Sequence, residues 1–298
     1  MRVLVGKTFG IGNAVMAVPM IKALNTIPNL SIDILVGSTS DDVGAFQVLS
    51  HMVRPPAKLC VDSALEGDYD LAIMSMPFDG RWQNGVHFRA KEVWDGRTRP
   101  DPSTTGLISW DRHEIDYQVD HARRLGFTGE CPSTSFFTPR ERDPSKVYLG
   151  VGYKKDAAGF WKVKHWGNEN YASLAKLILE KYPEKRIRLT GDISDLKESI
   201  LPIFGRVADY RLSFQLPSLE ESFRVLSGCG SYVGNDTGMM HVAASCGLPT
   251  VGLFFMGPKS VTKSAPRYDA NSYLCRAICL EDREKVTPEY VLRQMEAR

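Results

Sequence analysis

Apolar and polar positions along the chain fall into blocks that read as strand, helix, strand, twice over. Arg2 to Gly6 is a short apolar run with the pattern of a buried strand, Thr8 to Asn13 a glycine-containing loop, and Ala14 to Leu24 a helix with an apolar face. Ser31 to Val36 reads as the next strand, Asp42 to Leu49 as a short helix and Lys58 to Val61 as a weak strand. Leu71 to Met76, after Asp68-Tyr69-Asp70, is a strong buried strand. Strands alternating with helices predict a parallel sheet. Residues 77 to 112 are rich in Pro, Gly, Arg, Trp and Asp without a period, which predicts a long functional loop with short helical pieces. Glu114 to Leu125 is then an amphipathic helix ending at Gly126.

The prolines between Pro132 and Pro144 mark a linker, and the chain divides into halves at 1–140 and 141–298. The second half restarts with a strand at Val147 to Val151, followed by a Lys- and Gly-rich loop, a helix from about Glu169 to Tyr182 and a strand at Arg186 to Thr190. A turn at Gly191-Asp192, helices at Asp195 to Phe204 and Leu219 to Gly228, and a last helix at Pro288 to Glu296 complete it. Residues 231 to 253 are the most informative, because they hold a strand end, the turn Asn235 to Gly238, a helix from Met239 to Cys246 closed by Gly247, and a further strand after Pro249. Such a turn aims the first N–H groups of its helix into the crevice at the carboxyl end of a parallel sheet, where open α/β folds bind phosphates.

Composition narrows the reading only a little. With 298 residues, 43% hydrophobic, the chain can bury the core of one or two domains. A formal net charge of +2 selects no partner class. No apolar run approaches the roughly 18 to 20 residues of a membrane span, and Met1 leads into a strand rather than a signal peptide, so a cytoplasmic protein is expected, with room for peripheral contact with the inner membrane. The six cysteines lack the density of a disulfide scaffold, and the Cys275/Cys279 pair has no histidines at zinc spacing, so free thiols are expected.

His241, in the first turn of the helix, can add a donor or a positive charge to an anion held there, and its plainer reading is a hydrogen-bonded core histidine. Asp236 beside a diphosphate would repel it, which favours a helix N-cap role for its carboxylate. Thr237 and Gly238 read alone are turn residues.

Together the pattern Asp-Thr-Gly-x-x-His-x-Ala-Ala-x-x-Gly-x-Pro-Thr-Val-x-Leu-Phe from Asp236 resembles the diphosphate-binding signature of the family 9 glycosyltransferases, best known as lipopolysaccharide heptosyltransferases. Ile11-Gly12 followed by Pro19, the segment Trp110 to Leu125, and Lys164-His165-Trp166 with Tyr171 and Leu174 are similar to further family blocks and occur in the family's order. The resemblance implies an α/β GT-B fold of two Rossmann-like domains, with the acceptor mainly on the first and the nucleotide sugar mainly on the second. The last helix can then pack back on the first domain. It implies transfer of a sugar, heptose by default, from a nucleotide-diphosphate donor to a hydroxyl of a glycan or lipid-linked glycan such as a lipopolysaccharide core. An inverting reaction with no cofactor beyond the donor is expected, and no metal, because the helix N-terminus and Lys164 can carry the leaving-group charge and no Asp-x-Asp motif is read that would hold a metal against the diphosphate. Lys164, Asp236, Thr237, Gly238, His241 and Pro217 are the expected donor residues. The segment Gln215 to Leu219 walls the nucleobase by resemblance, and read alone holds an N-cap at Ser218. Gly10, Gly12 and Arg81 belong to the expected acceptor loop.

One departure bears on catalysis. Where the family carries an Asp after Ile-Gly, thought to be the general base, this chain has Asn13, whose amide cannot take a proton. Asn13 is then expected to position the acceptor, with Asp79 as first candidate for the base and His113 or Asp111 behind it; read plainly, Asp79 is a turn former and Asp111 a helix N-cap. Two alternatives follow. The cations Arg81, Arg89, Lys91, Arg97 and Arg99, against Glu92 and Asp95, give the acceptor loop a positive excess that suits a modified DNA base as acceptor, or equally a phosphorylated lipopolysaccharide core. The other is a nucleotide-sugar-binding protein without turnover, suggested by Asn13.

Overall fold

The computed structural model describes residues 1–7, 10–37, 43–52, 58–61, 65–74, 87–94, 112–153, 159–191, 193–269 and 274–297. Asp79, Arg81, Asp95, Arg97, Arg99, Asp111, Lys154, Lys155 and the turn residue Asp192 lie outside them. The chain divides into two compact units, residues 1–137 with 262–264, and residues 138–261 with 265–298.

In the first unit the elements run β1 (Arg2–Lys7), α1 (Gly10–Leu24), β2 (Ser31–Val36), α2 (Val43–Leu49), β3 (Leu59–Val61), β4 (Glu66–Met74), β5 (His87–Trp94) and α3 (Glu114–Arg124). The strands form one parallel sheet in the order β3-β2-β1-β4-β5. Val3, Leu4 and Val5 of β1 are fully buried, as expected of a central strand covered on both faces. Helix α1 packs on α3 through Met16, Ile115 and Val119.

Three expectations fail here. The loop read at Thr8 to Asn13 ends early, because helix starts at Gly10, so Gly12 and Asn13 lie in the first turn of α1. Strand β4 begins at Glu66 and includes Asp68-Tyr69-Asp70; Tyr69 is buried while Asp68 and Asp70 point to β5. The aperiodic stretch 77–112 contains β5, an edge strand. Its Arg89 pairs with Asp68 at 2.8 Å and its Lys91 with Asp70 at 2.7 Å. These pairs offset two of the five cations counted toward an acceptor loop, and Asp68-Tyr69-Asp70 is an Asp-x-Asp spacing, contrary to the expectation that the chain has none, with both carboxylates taken up by pairs within the sheet.

In the second unit the order is β6 (Asp143–Gly150), a 3-10 turn (Phe160–Lys164), α4 (Asn168–Lys181), β7 (Arg186–Thr190), α5 (Ile193–Asp195), a π turn (Leu196–Ile200), α6 (Leu201–Val207), β8 (Leu212–Gln215), α7 (Leu219–Ser227), β9 (Cys229–Asn235), α8 (Gly238–Ser245), β10 (Thr250–Leu253), α9 (Pro258–Ser264, its residues 262–264 being assigned to the first unit), β11 (Cys275–Ile278) and α10 (Pro288–Glu296). The parallel sheet has the order β11-β10-β9-β6-β7-β8, so the direction of winding reverses between β6 and β9. Strand β6 begins four residues before the predicted Val147, and β8 and β11 were not read from the sequence; both are four residues long.

The core of this unit joins Val147, Leu149, Ile187 and Leu189 to Leu174, Ile178 and Leu292. Helix α10 packs on α4, where Lys181 and Tyr182 both meet Glu296 at 2.8 and 2.7 Å. On the other sheet face the Tyr232 ring stacks on Tyr148 at 5.6 Å, and it lies where side chains on Gly150 and Gly234 would stand, so both positions need glycine. All six cysteines are free. Among the described residues no helix is long and apolar enough to cross a membrane.

Candidate functional site

The site is built at the carboxyl ends of β6 and β9, where the winding reverses and open α/β sheets hold their ligands. Asn235, the last residue of β9, is fully buried and has both ends of its amide engaged. Its Nδ2 donates to the carbonyls of Val151 at 3.2 Å and Gly152 at 3.1 Å, and its Oδ1 accepts from the Trp166 N–H at 3.1 Å and the Tyr171 hydroxyl at 2.9 Å. One side chain thus ties the ends of both strands to the segment that carries Lys164.

That segment is held from several sides. The Trp166 indole N–H donates to the Val286 carbonyl at 2.8 Å, its ring meets Tyr171 edge to face at 5.1 Å, and Arg283 donates to the carbonyls of Val163 and His165. Gly167, at φ +111°, makes the turn into α4 that follows. The Lys164 ammonium is thereby brought to 2.5 Å from the Asp236 carboxylate and 3.3 Å from the Asp236 carbonyl. The Lys164 side chain is 17% exposed, which excludes the reading of a solvated surface lysine, whereas Lys162 is exposed.

Asp236 does not cap α8, contrary to the capping role expected of it. The N-cap is Thr237, with extended backbone at φ −138° and ψ 171° and no side-chain cap bond, so the first N–H groups of α8 meet no capping oxygen from that residue. Asp236 is occupied by Lys164 instead, which removes the objection that its charge would repel an anion: the pair is neutral, and the helix terminus keeps its partial positive charge. Gly238 is the first helical residue, and His241, 5% exposed, sits one turn in. Pro217 is half-buried before α7, where Ser218 is the N-cap and accepts from the Glu221 N–H at 3.2 Å.

In the first unit, Gly10, at φ +77°, opens α1 and Asn13 is half-buried in its first turn, at the carboxyl end of β1. His113 is 4% exposed, and it rather than Asp111 is the N-cap of α3, its Nδ1 accepting from the Ile115 N–H at 3.2 Å. That bond commits Nδ1 to the helix. Asp79 and Arg81 lie outside the described residues. The pairing of Lys164 with Asp236, 72 residues apart, and the role of Asn235 escaped the sequence reading, and only the Trp and Tyr following Lys164 hinted at an anchored segment.

The family model that matches the chain is glycosyltransferase family 9 (heptosyltransferase), over residues 145–290. Among solved structures, Escherichia coli heptosyltransferase WaaC with ADP superimposes with a TM-score of 0.73 at 19% identity, covering 99% of both chains. The structure titled with ADP-2-deoxy-2-fluoro heptose gives 0.71 at 19% identity, again over 99% of each chain. The E. coli ADP-heptose lps heptosyltransferase II gives 0.68 at 17% identity, over 100% of this chain and 98% of that one. These likenesses show an α/β GT-B fold. Among curated proteins no sequence matches.

Proposed function

With residues 145–290 carrying the glycosyltransferase family 9 domain, the chain is a heptosyltransferase-like glycosyltransferase, and we propose that it moves heptose from an ADP-linked donor to a hydroxyl of a glycan acceptor such as a lipopolysaccharide core. The observation that carries the donor side is the Lys164–Asp236 pair at the uncapped start of α8, at the point where the sheet reverses. ADP and an ADP-heptose analogue are what the similar structures are titled with, which favours adenine as the base.

In this reading the acceptor oxygen attacks the anomeric carbon from the face opposite the diphosphate. The bond from that carbon to the diphosphate oxygen breaks, and ADP departs with its new charge toward the α8 N–H groups and Lys164. These groups take the leaving-group role without a metal, and the configuration inverts. The acceptor proton goes to Asp79, because Asn13 cannot accept it; Asn13, at the start of α1, orients the acceptor hydroxyl. The pairing of Arg89 and Lys91 with Asp68 and Asp70 takes support equally from a nucleic-acid acceptor and from phosphates on a lipopolysaccharide core.

The test is release of ADP from ADP-heptose, with and without acceptor, under excess chelator. We expect turnover that survives the chelator and falls roughly 100-fold in Asp79→Asn with donor affinity unchanged, the usual share of a general base. Donor binding without any turnover, restored by Asn13→Asp, would instead identify a binding-only descendant of the family.

A further inference from the structure

We infer that the second unit carries another anion site, on the face of β7 opposite Ile187 and Leu189, which holds a phosphoryl group between Arg186 and Arg188. Strands of a doubly wound parallel sheet are covered on both faces and read as continuous apolar runs. Strand β7 reads Arg-Ile-Arg-Leu-Thr, with Ile187 and Leu189 in the core and the two arginines on the opposite face. Register partners in a parallel pair share a face, and the partners here are Lys146 with Arg186 and Arg188 with Ser213. These side chains and the turn after α6 line a cavity of about 290 Å³, with Lys146, Arg186, Arg188, Arg211, Ser213 and Tyr210 in its wall.

The charges in the wall are not matched. Asp143 lies 3.1 Å from Lys146 and Asp209 2.7 Å from Arg211, but among the described residues no carboxylate pairs with Arg186 or Arg188. With Lys146 and Arg211 each answered by a carboxylate, the two guanidinium groups of Arg186 and Arg188 are left to repel one another unless an anion lies between them. Their planar donor forks match the oxygens of a phosphoryl group. At the rim Tyr210 is 94% exposed, an aromatic face turned toward whatever carries that group. The cavity lies at the amino ends of the strands. Lys146 stands four residues before Gly150 on β6, about 13 Å from the β9–α8 turn end at roughly 3.3 Å per residue, so a donor diphosphate bound there leaves the cavity vacant. The inference therefore stands apart from the donor reading.

A phosphoryl group can reach this pocket on a soluble molecule or on a lipid headgroup, and arginine modification by phenylglyoxal, mapped by peptide mass spectrometry on the intact chain, separates the two. Wild type and Lys164→Ala are treated with pyrophosphate, with phosphatidylglycerol vesicles, and with phosphatidylcholine vesicles. We expect saturable slowing at Arg186 and Arg188 of about tenfold when the ligand is at ten times its dissociation constant. Arg206, paired with Glu169, keeps its rate, and Lys164→Ala shows the same protection. Protection by pyrophosphate identifies a soluble phosphoryl ligand, and protection by phosphatidylglycerol vesicles alone a membrane headgroup. Protection by neither, equal slowing at Arg206, or loss of protection in Lys164→Ala overturns the site.

Discussion

The two units wind their sheets alike, and each holds a polar cluster at one end of its strands, the amino end in the first and the carboxyl end in the second. In the first, Asp33 on β2, 3% exposed, sits toward the amino ends of the strands. It accepts from Arg2 at 2.6 Å, the Tyr69 hydroxyl at 3.0 Å and the Lys58 N–H at 2.9 Å. Burial and the neighbouring Asp33 push the Tyr69 phenol well up, and the bond to Asp33 raises Arg2, so every charge there is answered by the chain itself. In the second, a cluster of polar groups lies at the carboxyl ends, around buried Asn235 and the Lys164–Asp236 pair, beside a helix start whose cap residue gives no side-chain bond. A matched cluster at the amino end holds strands together. A cluster at the reversal point, beside a helix start that its N-cap side chain does not bond, stands where open α/β sheets hold their ligands.

The strongest way to break this contrast is to remove the residue that joins structure and site. Asn235→Leu strands the Trp166 N–H and the Val151 and Gly152 carbonyls, while the Tyr171 hydroxyl keeps the Gly150 carbonyl at 3.2 Å, and should cost about 3 kcal/mol in urea unfolding, three groups each losing about 1 kcal/mol. Asp33→Ala sharpens it: stability should fall by about 2 kcal/mol, since Arg2 is part-exposed, while the dissociation constant for ADP stays as in the wild type. A loss of ADP affinity in Asp33→Ala equal to its loss of stability would erase the distinction between the units.

The smallest effect concerns Asp143 at the start of β6. Hydrogen bonds from Ser145 and Lys146 hold its carboxyl down at about 2. The unfolded carboxyl titrates near about 3.9, so its contribution is whole above about pH 4 and fades as the pH falls toward 2, where the unfolded chain binds the extra proton. Asp143→Asn should flatten the fall of stability in that window and leave the profile above pH 5 unchanged.

Most of the architecture could be read from period and punctuation. The strand, turn, helix and strand of 231–253 lie within one short segment, each with its own signal, and β7 was found to the residue. What escaped has physical causes. Strand β5 is an edge strand whose charged positions answer Asp68 and Asp70, so its sequence looks like loop, and β8 and β11 are too short to show a period. Glycines at 10 and 12 suggested a loop where α1 had begun. At the site, the turn and Lys164 were legible one by one. Their convergence on one donor site was expected, but their direct ion pair was not, because it depends on Asn235 drawing together segments far apart in sequence, which no local pattern records.

The central claim, that the Lys164–Asp236 pair prepares the α8 terminus for a diphosphate, is tested most directly by calorimetric titration of ADP into wild type, Lys164→Ala and Lys164→Ala/Asp236→Asn. Losing the ammonium leaves an unanswered carboxylate at the site, so Lys164→Ala should weaken ADP binding by about 1 to 3 kcal/mol, roughly 5- to 150-fold, and the second change should recover part of that loss. Unaltered ADP affinity in Lys164→Ala, with the fold intact, would contradict the claim.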